Sequence, residues 1–157
     1  MELTKKESYA IQISSYLKNG RNMEARKMAE EMIKKFPKEP LSHFMAAKSY
    51  YFSKKYEDAK TEGKKAFQLS MKTHDLIASA VVTASSMLML GEYAEAHKIL
   101  LPFEKKRNEE VKKLMVIISM AEGEGKKAGS YYKELYDINK AAAEKLIRRL
   151  AKERKRI

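Results

Sequence analysis

Apolar residues recur at helical spacing along the chain, in blocks separated by short polar turns. The first block predicts a helix from about Thr4 to Lys18, with Tyr9, Ile13, Tyr16 and Leu17 on its apolar face. Asn19-Gly20 stops it, because both residues tolerate a positive φ. A second helix, about Met23 to Phe36, turns Ala25, Ala29, Met32 and Ile33 inward and ends before Pro37. Pro40 opens a third, where a missing N–H costs nothing, and it runs through Phe44, Ala47, Tyr50 and Tyr51 to about Ser53. Further helices are expected at Tyr56 to Leu69, His74 to Leu90, Tyr93 onward, Asn108 to Ala121, Lys126 to Ile138 and Ala141 to Lys155. Pro102 should kink or end the sixth, since it removes a backbone bond and crowds the preceding turn. Few stretches alternate with period two, so the expected class is all-α.

The turns repeat. Gly20-Arg21-Asn22-Met23-Glu24-Ala25 aligns with Lys54-Lys55-Tyr56-Glu57-Asp58-Ala59 and with Gly91-Glu92-Tyr93-Ala94-Glu95-Ala96. The closing alanines are 34 and then 37 residues apart, and a poorer copy, Gly123 to Ala128, follows after another 32. In these residues the chain resembles the tetratricopeptide repeat family, whose unit is a helix pair of about 34 residues entered through a Gly-x-Tyr-x-x-Ala turn. Gly91, Tyr93 and Ala96 match that turn fully; Lys54 replaces the Gly in the second copy and Asn22 the Tyr in the first. The small residue expected in the first helix of each pair is Ala47 and Ala84 in two copies, Ile13 and Val116 in the others. The resemblance implies a right-handed α-solenoid in a single domain: four hairpins at about 4–37, 38–72, 74–106 and 107–140, closed by a basic capping helix at 141–157. One hairpin cannot bury its apolar face alone, so stacking of at least three is physically required. The competing reading is an irregular helical bundle.

The resemblance also assigns an inner face to the first helix of each pair. Its central positions are Leu41, Phe44, Lys48, Tyr51 and Phe52, then Val81, Ser85, Leu88 and Met89, then Ile117 and Met120. These are apolar enough to suggest a groove for an amphipathic or apolar segment of a partner protein. Two alternatives fill the groove internally: a second copy of the chain in a homodimer, or the last helix folding back through Leu146, Ile147, Leu150 and Ala151. One subclass of the family grips acidic chaperone tails with Lys, Arg and Asn. The corresponding positions here are Ala10, Ser14, Met45, Ala78 and Val82, so that activity is not carried over.

Composition narrows the chemistry. Without Cys there are no disulfides, thiolate metal sites or cysteine nucleophiles. His43, His74 and His97 have no spacing that puts two on one helical turn, and Gly123-Glu124-Gly125-Lys126-Lys127 lacks the rest of a phosphate loop. The expectation is a non-catalytic protein without cofactor or metal. No apolar run reaches the roughly 18 residues of a membrane span, and Met1 to Ala10 lacks the apolar stretch of a signal peptide, which points to the cytoplasm. The formal charge is +12, and the C-terminal helix concentrates it in Arg148, Arg149, Lys152, Arg154, Lys155 and Arg156. An alternative function is therefore contact with nucleic-acid phosphates through that helix.

Overall fold

The computed structural model describes residues 2–155. Among these there are nine α-helices, one 3-10 helix and no strand. The order is α1 (Lys5–Lys18), α2 (Asn22–Lys35), α3 (Pro40–Phe52), α4 (Tyr56–Leu69), α5 (Thr73–Met89), α6 (Tyr93–Leu100), the 3-10 helix Leu101–Phe103, α7 (Glu109–Ala121), α8 (Gly125–Ile138) and α9 (Lys140–Lys155). Pro102 acts as expected: α6 stops at Leu100, and the chain tightens into the 3-10 helix before turning towards α7. The helices fall into two compact units, divided between Glu92 and Tyr93.

Three turns of the first unit and one of the second share a single backbone device. Gly20, Gly91 and Gly123 have φ of 73°, 77° and 77°, and Lys54 has φ of 61°. In each, the following residue reaches back five positions: Arg21 N–H to the Tyr16 carbonyl, Lys55 to Tyr50, Glu92 to Met87 and Glu124 to Ser119. The left-handed residue itself donates three positions back, to Leu17, Tyr51, Leu88 and Met120. This is the Schellman arrangement, which satisfies helix-end carbonyls and reverses the chain. Glycine enters the left-handed region at no steric cost; Lys54 does so with a Cβ.

In the first unit, α3 packs against α1, α2, α4 and α5, and α4 packs against α5. The hairpin contacts rest on small residues: Ala25, Ala47, Ala59, Ala66 and Ala84 are fully buried. Around them Ile13, Met32 and Met45 supply apolar volume, with Tyr9, Tyr16, Leu17 and Phe36 partly buried against the cluster. Helix α3 buries its small residues and leaves its large aromatic ones partly open. Phe44, Tyr50 and Tyr51 remain partly exposed, and its buried positions besides Ala47 are Ser42, His43, Met45, Ala46 and Ser49. A helix enclosed by four neighbours buries its small residues most completely.

Helices α4 and α5 approach closely at Gly63, where a Cβ would run into Thr83 Oγ1. Along the same side of α5, Thr83 and Ser86 donate back to the Ser79 and Val82 carbonyls. Polar side chains can therefore be buried there without an outside partner.

In the second unit α7 packs against α6 and α8, and α8 against α9. Leu100, Val111, Met115, Ile118, Leu135 and Ala143 are fully buried. Lys112 is buried with them, at 4% exposure. Its ammonium pairs with Glu134 at 2.8 Å, donates to the Glu104 carbonyl and lies 6.0 Å from the centre of the Tyr131 ring. Tyr131 in turn donates to the Glu104 carboxylate at 2.6 Å. Burial, then that hydrogen bond, pushes the Tyr131 phenol well above its ordinary range.

Candidate interaction surface

The family resemblance assigns one face of α3 and α5 as the inner face. On α3 it carries Leu41, Phe44, Lys48, Tyr51 and Phe52; on α5, Val81, Ser85, Leu88 and Met89. All nine are partly or mostly exposed, and the two helices are direct neighbours, so the structure brings these residues onto adjoining surfaces. Phe52 and Met89 are the most open, at 51% and 52%. Each is the last residue of its helix, with no further turn beside it to cover the side chain.

The polar groups on this face are few. Ser85 Oγ is turned inward to the Val81 carbonyl at 2.7 Å, leaving its neighbours apolar. The Lys48 ammonium sits 5.7 Å from the centre of the Phe44 ring and has no acidic partner among the described residues. Helix α3 holds no acidic residue, and α5 only Asp75 in its first turn. Tyr51 packs edge-on between Phe52 and Tyr56, with ring centres at 5.7 and 5.6 Å. The rings meet edge to face, a favourable geometry for aromatic pairs.

Two features of this region were not legible in the sequence. Asn22 Nδ2 donates to the Phe52 carbonyl at 3.0 Å, tying the start of α2 to the end of α3 next to the exposed Met23. His43 is buried and bonded through both ring nitrogens. No local signal marks either contact, because the partners are 30 and 19 residues away.

Ile117 and Met120 lie on α7 of the second unit, the first half-buried and the second 46% exposed. Of the five clamp positions, Met45 and Val82 are core residues. The stripe expected on the last helix is shifted: Ala143 and Leu146 are buried, Leu150 is half-buried, and Ile147 and Ala151 are exposed. Arg148, Arg149, Lys152 and Arg154 are exposed on α9; the Lys155 side chain and Arg156 lie outside the described residues.

Among the described residues no three of the His, Asp and Glu side chains are grouped to hold a metal ion. No helix among them is long and apolar enough to cross a membrane.

No family model matches the sequence, and no curated protein matches it. Solved structures do. The crystal structure of YrrB, described as a TPR protein with an unusual peptide-binding site, superimposes with a TM-score of 0.66. The match covers 83% of this chain and 67% of that one, at 16% identity. At that identity the likeness is one of fold, and it agrees with the recurrent turns and stacked hairpins: the chain has a tetratricopeptide-repeat-like helical fold.

Proposed function

We propose that this protein is a non-catalytic interaction module that holds an apolar or amphipathic segment of another protein against the α3–α5 face. The observation that carries the reading is the exposure of Phe44, Tyr51, Phe52, Leu88 and Met89 on two adjoining helices. Apolar residues of this size, grouped rather than scattered, mark contact surfaces on soluble proteins. Methionine at its edge adapts to different side chains, and aromatic rings give large contact area at little entropic cost. Lys48 supplies a charge that would orient the bound segment. The peptide-binding site named for YrrB is consistent with such use of the fold.

The test is capture by the full chain at high salt, comparing the native protein with a Phe52→Asp, Met89→Asp variant. Both sites are half exposed, so helicity by circular dichroism should persist. A protein retained by the native chain and lost from the variant supports the reading; equal retention rejects it. Sedimentation velocity on the same pair separates a second copy of the chain from a different partner.

A further inference from the structure

Helix α9 presents two sides of opposite chemistry. With about 100° per residue, Ala143, Leu146 and Leu150 fall together, while Lys145, Arg148, Arg149 and Lys152 fill an arc of roughly 100° on the far side. The first group is buried or half-buried where α9 packs on α8; the four cations are all exposed. Along the axis they span about 10 Å. Arg149 has one exposed contact to Glu153, at 3.7 Å. Lys145, Arg148 and Lys152 have no ion pair among the described residues.

Helix stability does not account for this stripe. Cations favour a helix C-terminus only within its last turn, and Lys145 and Arg148 lie further back on a helix ending at Lys155. Like charges three and four residues apart repel one another, so the arrangement carries a small cost in the free protein. A polyanion would remove that cost. A membrane surface fits less well, because the apolar side that an interfacial helix must bury in lipid is already spent on α8. Without an aromatic residue on α9, bases have nothing to stack on.

We propose that Lys145, Arg148, Arg149 and Lys152 form a contact for the phosphate backbone of duplex nucleic acid, independent of its sequence. Arg154 projects from the other side of the helix, beyond Ile147, and takes no part. The contact is separate from the α3–α5 face and stands or falls independently of it.

Fluorescence anisotropy of a labelled mixed-sequence DNA duplex with the full chain tests it. Four neutralised phosphates predict that log K falls against log salt with a slope of about −3 to −4 between roughly 50 and 200 mM. Replacing all four cations by Gln, a good helix former, should remove most of that slope. Arg148→Glu alone should reduce it by about one or more. A control with Lys27, Lys34, Lys64 and Lys72 changed to Gln removes the same charge from exposed positions elsewhere and should bind as the native chain does. Circular dichroism establishes that each variant is folded; should the fourfold variant unfold, Arg148→Glu decides. The proposal is overturned by no binding at the lowest salt, by equal loss in the control, or by binding to phosphatidylserine vesicles at about 150 mM salt where the duplex does not bind.

Discussion

His43 Nδ1 on α3 lies 2.6 Å from Glu62 Oε2 on α4, while its Nε2 lies 2.6 Å from the Pro37 carbonyl. Both oxygens are acceptors within hydrogen-bond reach of the ring. Glu62 is also held by Lys65 through its other oxygen, at 3.1 Å. One buried side chain thus joins the end of the α2–α3 connection to the following hairpin.

Removing that ring should be expensive. His43→Ala leaves the Glu62 carboxylate and the Pro37 carbonyl short of a donor in a buried setting, which costs about 2–4 kcal/mol. His43→Gln keeps one donor and should lose less. Urea unfolding of the two variants checks the order, and equal stabilities would mean that the ring contributes volume alone.

The turn at Lys54 offers the opposite experiment. A non-glycine residue in the left-handed region costs about 1 kcal/mol. Lys54→Gly should therefore raise the melting temperature by about 2–4 °C, and Gly91→Ala should lower it by a similar amount. Calorimetry on both variants compares the Lys54 and Gly91 turns.

Gly63→Ala drives a methyl group into Thr83 Oγ1. Overpacking of this kind costs about 1–3 kcal/mol. The double variant Gly63→Ala, Thr83→Ala removes the nearest atom but leaves the Thr83 Cβ position at 3.2 Å, so partial rather than full recovery is expected. Thermal melts of the single and double variants measure it.

Tyr50 donates to Glu30 at 3.0 Å, and burial followed by that bond pushes its phenol up to about 12. The folded state holds this proton more tightly than the unfolded chain, so its contribution to stability is complete below pH 10 and declines as pH rises from about 10 to 12. Tyr50→Phe should flatten that decline in part, with Tyr131 supplying the remainder. Denaturation midpoints measured across this window, together with phenolate absorbance, give the result.

The helices were readable from the sequence because their punctuation is local. Pro37, Pro40 and Pro102 fix φ or delete a donor, and Gly20, Gly91 and Gly123 mark the reversals, so predicted and observed ends differ by about one residue at most places. The inner-face positions on α3 and α5 come from the family resemblance, not from periodicity alone, and solvent reaches all nine of them. What escaped was set by stacking between helices. Nothing near Gly63 announces that Thr83 will be its neighbour, and nothing near Lys112 announces a buried ammonium. The last helix shows the same limit: its periodicity marks an apolar side, but only contact with α8 decides that Leu146 is covered and Ile147 is left out.

The repeated five-residue reversal has a kinetic consequence. Each closes its loop within the chain's own immediate neighbourhood, so bringing the two helices of a hairpin together involves little loop entropy. Folding can therefore start at more than one reversal, and a defect at one leaves other nuclei open. A variant at a single turn should accordingly speed unfolding more than it slows refolding, the signature of a chain with several parallel starting points.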